Sequence, residues 1–188
     1  MTSTSPDRGR LFGFVAAIAC ALSLQSGLSS AQAVSRIPPH KATLRTIDDV
    51  LTDIIARGMA GSDTFRALVE HLEHSQTIVY LSRVAVPPSM HARTQLISAA
   101  NGWRFLSIEL DWRLASIELI ACLGHELQHA AEIADAEEVV DQASLAKFYG
   151  RVGMRRSYGQ SPVLTFETAK AVQAGQRIYG ELLAANPH

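Results

Sequence analysis

Leu114–Ala136 reads LASIELIACLGHELQHAAEIADA and contains no proline. Its apolar residues recur with helical spacing, so the stretch predicts an α-helix with one wide apolar face that packs on a core. The apolar face comprises Leu119, Leu123, Leu127, Ala130 and Ala134. The opposite face gathers His125, His129 and Glu132 and carries no lysine or arginine, a composition that suits a bound cation better than plain solvation.

The centre of this helix carries the pattern HExxH at His125-Glu126-Leu127-Gln128-His129. Two imidazoles four residues apart lie one turn apart on one helix face, so each can direct a nitrogen at one tetrahedral metal ion. Glu126 lies about 100° around the helix, where it can take the proton of a water held on that metal. The pattern predicts Zn²⁺ as cofactor, His125 and His129 as metal ligands and Glu126 as the catalytic base.

Two glutamates compete for the third place on the metal, because catalytic zinc usually takes three protein ligands. Glu132 follows His129 by three residues, about 4.5 Å along the helix axis, and is better placed to hydrogen-bond a ligand. Glu167 begins the last predicted helix and can approach the ion from an independent direction. Glu167 is therefore favoured as third ligand, Glu132 is the alternative, and Glu118 is a weaker candidate.

The HExxH helix, followed by a glutamate on a later helix, resembles the gluzincin branch of the zincin metallopeptidases. The resemblance implies an α+β, zincin-like fold, in which several helices pack on a small sheet with a β-hairpin and HExxH lies on a central helix. It implies a zinc metallopeptidase acting on a peptide or protein substrate. Thermolysin-like members carry an aspartate four residues after the third ligand, where this chain has Ala171. The alternative is a non-catalytic exported metal-binding or interaction domain that keeps this fold.

The rest of the chain alternates between helical and strand-like patterns. Helices are predicted at 46–57, 63–75, 136–149 and 165–184, and strands at 77–86, 93–99 and 103–110. Asn101-Gly102 predicts a two-residue hairpin turn, and the hairpin offers an edge strand on which a substrate backbone can lie extended. Residues 150–161 are predicted to form a loop, whose Arg155, Arg156 and Tyr158 are candidate donors to the oxyanion.

The first 33 residues show the pattern of a secretory signal peptide. Arg8 and Arg10 precede an apolar run at 11–24, and Ala31-Gln32-Ala33 is a cleavage signature. The mature chain is then predicted to span 34–188 as a single zincin-like domain, periplasmic or secreted, with no membrane attachment after cleavage. The formal net charge of −1 and the lack of a basic stripe argue against nucleic acid as a partner. The oligomeric state is left open.

Overall fold

The computed structural model describes residues 16–18, 43–87, 89–156 and 165–185. Within these ranges the chain forms an α+β fold of five helices and a small mixed sheet, so the predicted fold class is confirmed at this coarse level. The cleavage signature at 31–33 and Tyr158 lie outside the described residues.

The main sheet has five described strands in the order β1-β4-β5-β3-β2. Their bounds are β1 Ala16–Ile18, β2 Leu44–Arg45, β3 Thr77–Val84, β4 Ala92–Ala100 and β5 Trp103–Asp111. β4 and β5 are antiparallel, and they are joined by Asn101 and Gly102 with φ of 53° and 81°. Positive φ at both central residues is what a tight hairpin turn requires, so the predicted hairpin is confirmed. The other three pairings are parallel.

Five helices and a second, two-stranded sheet complete the described fold. The helices are α1 Asp49–Gly61, α2 Asp63–Glu73, α3 Ser116–Asp135, α4 Gln142–Val152 and α5 Ala169–Ala185, and the small sheet pairs β6 Met154–Arg156 with β7 Thr165–Glu167. Inward-facing residues of β3, β4 and β5 join the helices in one hydrophobic core. α3 is buried on most of its surface and is the central helix of this core, so the HExxH pattern lies in the interior.

The first helix ends later than the sequence predicts. The helix was predicted to end at residue 57, yet α1 continues through Gly58 to Gly61. The reason is packing: a Cβ at position 58 would come within 2.9 Å of the Phe65 ring, so a glycine inside the helix lets α2 approach closely. The helix also starts later than the predicted residue 46, because Asp48 caps it by accepting hydrogen bonds from the backbone N–H groups of Val50 and Leu51.

The predicted helix at 136–149 and the predicted loop at 150–161 are both displaced. α4 begins only at Gln142, after Asp141 has accepted the backbone N–H of Ser144, and it continues to Val152. The following residues form β6, which pairs antiparallel with β7. The last helix was expected from residue 165, but Thr165–Glu167 belong to β7 and α5 starts after Thr168. The pairing of β6 with β7 therefore overrides the local helical pattern at residues 165–167.

β1 lies inside the predicted signal segment and pairs in parallel with the outer edge of β4. Its register places Ala16 beside Ala92 and Ile18 beside Thr94, and β1 also contacts β7. The outer edge of β4 thus has a strand partner over its first three residues. That a substrate backbone lies extended along an edge strand of the hairpin stays a prediction. None of the described helices combines the length and apolarity needed to cross a membrane.

Candidate metal centre

Three side chains converge between α3 and β7. The Nε2 atom of His125 lies 3.1 Å from Oε1 of Glu167, and the Nε2 atom of His129 lies 3.5 Å from the same oxygen. One ligand atom from each residue lies within 4.8 Å of the other two, so the group could hold a metal ion. The structure therefore brings together the two predicted histidines and the favoured third ligand.

The spacing of these atoms fits a divalent cation. Two ligands of a tetrahedral ion with bonds of about 2.0 Å lie about 3.3 Å apart, and the separations of 3.1 and 3.5 Å fall on either side of this value. Neither Nε2 atom has a hydrogen-bond partner within the described part of the chain, although both are buried. Imidazole and carboxylate suit several divalent transition metals, so the geometry supports a metal site rather than one particular metal.

Burial makes the electrostatics of the group strong. His125 and His129 are completely buried, and Glu167 is 1% exposed. Burial alone would raise the pKa of Glu167, but the close contacts with the two histidines and their charges outweigh it and lower that pKa to about 2. Burial would likewise lower the pKa of His129, but Glu132 and Glu167 outweigh it and raise that pKa to about 9. Without a metal, the group therefore holds a buried ion pair that a cation can replace.

Glu126, the predicted catalytic base, points toward β4 and is completely buried. Its Oε2 accepts a hydrogen bond of 2.6 Å from the hydroxyl of Thr94. Its Oε1 is buried and has no hydrogen-bond partner in the described ranges. Burial raises the pKa of Glu126, opposed by the charges of His125 and His129. The carboxyl group thus has one anchored oxygen and one free oxygen, as a proton acceptor needs.

Glu132 contacts a metal-ligand candidate from outside the ligand group. Its Oε2 lies 3.2 Å from Nδ1 of His129, and its Oε1 accepts a hydrogen bond of 2.8 Å from the Thr168 hydroxyl. The backbone N–H of Thr168 in turn donates to Oε1 of Glu167 at 3.0 Å. A carboxylate on the second nitrogen of a ligating histidine fixes its tautomer and ring orientation. Glu132 is therefore placed to orient the ring of His129.

The positions of the other candidates differ from expectation. Glu167 ends strand β7 instead of opening a helix, although it still approaches from a separate element. Glu118 accepts the backbone N–H of Ala115 at the start of α3 and is outside the ligand group. Of the proposed oxyanion donors, Arg155 and Arg156 lie in β6, whose backbone alone is described at these positions. The oxyanion donor therefore stays a prediction.

Two functional contacts were not predicted from the sequence. Thr94 and Thr168 are both buried and both bind a glutamate of the site. The signal for Thr94 was available, because a polar residue occupies an inward-facing strand position that otherwise holds apolar side chains. Cys122 is buried below the site, and burial raises the pKa of its thiol well above the ordinary value. A protonated thiol is a poor nucleophile, so Cys122 is better suited to packing than to covalent chemistry.

A cavity of about 490 Å³ opens beside the site, on the side away from Glu126. Its walls include Glu132 and Thr168 together with Gln128, Asp135 and Phe148. Gln128, Glu132 and Asp135 lie about 120–180° around α3 from Glu126. The cavity therefore lies beside the carboxylate of Glu132 rather than beside Oε1 of Glu126.

Comparisons with protein-family profiles, with curated proteins and with solved structures found no match to this chain. The convergence of the three ligand candidates, the anchored glutamate beside them and the carboxylate behind His129 are therefore the observations from which a function is inferred.

Proposed function

We propose that this protein is a zinc-dependent metallopeptidase of zincin-like fold. The observation that carries the proposal is the convergence of His125, His129 and Glu167, with Glu126 alongside and one of its oxygens free. Three protein ligands leave one position for water, which is the usual donor set of catalytic zinc sites, whereas structural zinc sites take four protein ligands. A central HExxH helix packed on a sheet that contains a hairpin supports the zincin-like assignment.

When bound, zinc would lower the pKa of its water and polarise the substrate carbonyl. His125, His129 and Glu167 would hold the ion, and Glu132 would keep His129 oriented through Nδ1. Oε1 of Glu126 accepts the proton of the attacking water, and it then passes this proton to the nitrogen of the leaving amine. The substrate in this proposal is a peptide or protein, and the enzyme is an exported one, cleaved near Ala33.

The complete burial of the site favours a second candidate, a non-catalytic metal-binding domain. His125, Glu126 and His129 have no exposed surface in the full chain. β1 contributes to this closure, because it contacts both β4 and β7, which carry Thr94 and Glu167. A catalytic zinc site must admit substrate, so removal of the N-terminal segment or movement at β1 has to open a path before hydrolysis can occur.

The Glu126→Gln variant separates the two candidates. Metal content is measured by elemental analysis, and hydrolysis is measured by mass spectrometry on an unbiased peptide library. The metallopeptidase proposal expects about one metal per chain in the wild type and in Glu126→Gln, with hydrolysis about 10²- to 10⁴-fold slower in the variant because the general base is lost.

His125→Ala serves as the second variant, since it should lose the metal together with the activity. Full activity in Glu126→Gln would overturn the mechanism. A wild-type chain that binds metal and cleaves no peptide would favour the non-catalytic domain.

A further inference from the structure

Thr94 places a buried hydroxyl among the inward-facing residues of β4, which are otherwise apolar. It lies on β4 opposite Ile108 of β5, faces the core and has no exposed surface. Burying a hydroxyl without a hydrogen bond costs free energy, so a hydrogen bond at this position stabilises the fold. The Thr94 hydroxyl donates a hydrogen bond to Glu126, which lies on helix α3 and not in the sheet.

Only one of the two carboxylate oxygens of Glu126 takes part in this hydrogen bond. The Thr94 hydroxyl lies 2.6 Å from Oε2, and it lies 3.4 Å from the backbone oxygen of the same residue. Oε1 is buried and has no hydrogen-bond partner among the residues that the structure describes. A hydrogen bond to a carboxylate is short and strong, so this contact fixes the rotation of the carboxyl group.

We propose that Thr94 is the positioning residue of Glu126: its hydroxyl holds Oε2 and leaves Oε1 as the oxygen that exchanges the proton. This inference rests on the proposed function, in which Glu126 is the general base. A hydroxyl has one proton to donate, and Thr94 can keep donating it to Oε2 both before and after Oε1 has been protonated. The water proton therefore arrives at Oε1 and leaves from Oε1 to the amine nitrogen, without rotation of the carboxyl group.

Threonine suits this task because of its stiffness. A β-branched side chain has restricted χ1, so the hydroxyl stays directed at Glu126. Serine offers the same hydroxyl with more rotational freedom, and valine offers the same shape with no hydroxyl. The two substitutions therefore distinguish hydrogen bonding from packing at position 94.

Thr77 is a matched control on the neighbouring part of the sheet. It is also a fully buried threonine, and its Oγ1 has no partner in the described part of the chain. Thr77→Val removes a buried hydroxyl without removing a contact to the site. We expect this variant to keep the metal content and the hydrolysis rate of the wild type.

The first measurement is steady-state kinetics on a cleaved library peptide, with the metal-loaded protein in the form that cleaves the library, either the full chain or residues 34–188. Thr94→Val should keep about one metal per chain and a KM within about threefold, while kcat falls about 10²-fold because the base is misplaced. Thr94→Ser should recover kcat to within about tenfold of the wild type, since it restores the donor. An unchanged kcat in Thr94→Val, or equal losses in the Val and Ser variants, would overturn the proposal.

The second measurement needs neither metal nor activity. A double-mutant cycle on the metal-free chain combines Thr94→Val with Glu126→Leu and follows urea unfolding. Thr94→Val should lower the folding equilibrium constant about tenfold when Glu126 is present and less than about threefold when Leu replaces it. Equal effects in both backgrounds would contradict the contact. Absent hydrolysis in the wild type would instead count against the proposed function, so the two failures are distinguishable.

Discussion

His129 is held between two glutamates, one at each ring nitrogen. Nδ1 lies 3.2 Å from Glu132, and Nε2 lies 3.5 Å from Glu167. The carboxylate at Nδ1 requires a proton there, which leaves the lone pair of a neutral imidazole on Nε2. Glu132 therefore selects the tautomer that can bind a metal ion beside Glu167, although it is not part of the ligand group itself.

The Glu132→Gln substitution should weaken metal binding without removing it. The amide can still contact Nδ1 and Thr168, but it carries no charge, and loss of such a partner typically lowers metal affinity about 10- to 100-fold. The affinity is measured by competition with a chromophoric chelator.

Asp135→Asn is the matched control for this substitution, because Asp135 lies one turn along the same helix and pairs with His71 on the surface. Equal affinities of the wild type and the Glu132 variant would show that this carboxylate does not orient the ligand.

The sequence predicted the helical part of the site and the third ligand candidate, and it missed a contact that depends on the packing of a helix on the sheet. His125, Glu126 and His129 follow from one helical spacing, and the contact of Glu132 with His129 follows from a separation of three residues. Glu167 was favoured as a third ligand for its independent direction of approach, and the structure brings it to the histidines. Thr94 was not considered, because only the packing of α3 on β4 places its hydroxyl at Glu126.

α3 and α5 pack closely because glycines occupy their interface. A Cβ at Gly124 would come within 2.1 Å of Ile178, and a Cβ at Gly175 would come within 3.2 Å of the Cβ of His125. Gly175 therefore allows α5 to lie directly against the residue that carries a predicted ligand. Since protein interiors are close-packed, an added methyl group here must displace a helix or the imidazole.

The Gly175→Ala substitution tests this interface. The extra methyl group meets the backbone oxygen of Ala121 at 3.3 Å as well as His125, and neither atom can move freely. We expect a loss of about 1–3 kcal/mol in the free energy of unfolding and weaker metal binding, measured by urea denaturation and chelator competition.

Gly180→Ala on the same helix is the control, because a Cβ there meets nothing within 4 Å. It should stabilise the protein by about 0.5–1 kcal/mol through helix propensity. If Gly175→Ala proved as favourable as Gly180→Ala, the close approach of α3 and α5 would not constrain the site.

The secondary structure was predictable where the signal lies within a few residues. The turn at Asn101-Gly102 was predicted correctly because its positive φ values are specific to these residue types. α3 was predicted to within two residues at its start and one at its end. β6 and β7 were not predicted, because each strand has only three residues, too few to show an alternating pattern. Propensity alone does not show which segment will become a neighbour.

The candidate metal centre joins α3 to β7 in the interior of the protein, beside its larger hydrophobic core. Bringing His129 and Glu167 together in the interior makes folding sensitive to protons, because both groups titrate away from their ordinary pKa values. A metal ion competes with protons for the same histidine nitrogens, so metal binding and the pH dependence of stability are linked. The pH dependence of unfolding therefore reports on the centre even without catalysis.

Each pKa shift determines separately whether stability rises or falls with pH. His129 has its pKa raised from 6.5 to about 9, so its contribution to stability is fully present below pH 6.5 and is lost as the pH rises through about 9. Glu167 has its pKa lowered from 4.5 to about 2, so its contribution is present above pH 4.5 and is lost as the pH falls through about 2. Burial raises the pKa of Glu126, which adds to the loss of stability at higher pH.

The metal-free chain should therefore be most stable between about pH 4.5 and 6.5 and should lose stability toward pH 9, whereas the zinc-loaded chain should not. Urea unfolding at pH 5.5, 7 and 9 measures this, with and without a strong chelator. With free zinc at about 100 times its Kd, the loaded chain should gain about 2.7 kcal/mol, and the gain should grow with pH as protons leave His129. A metal-free chain that becomes more stable from pH 5.5 to 9, or a zinc effect independent of pH, would contradict the buried ion pair at the centre.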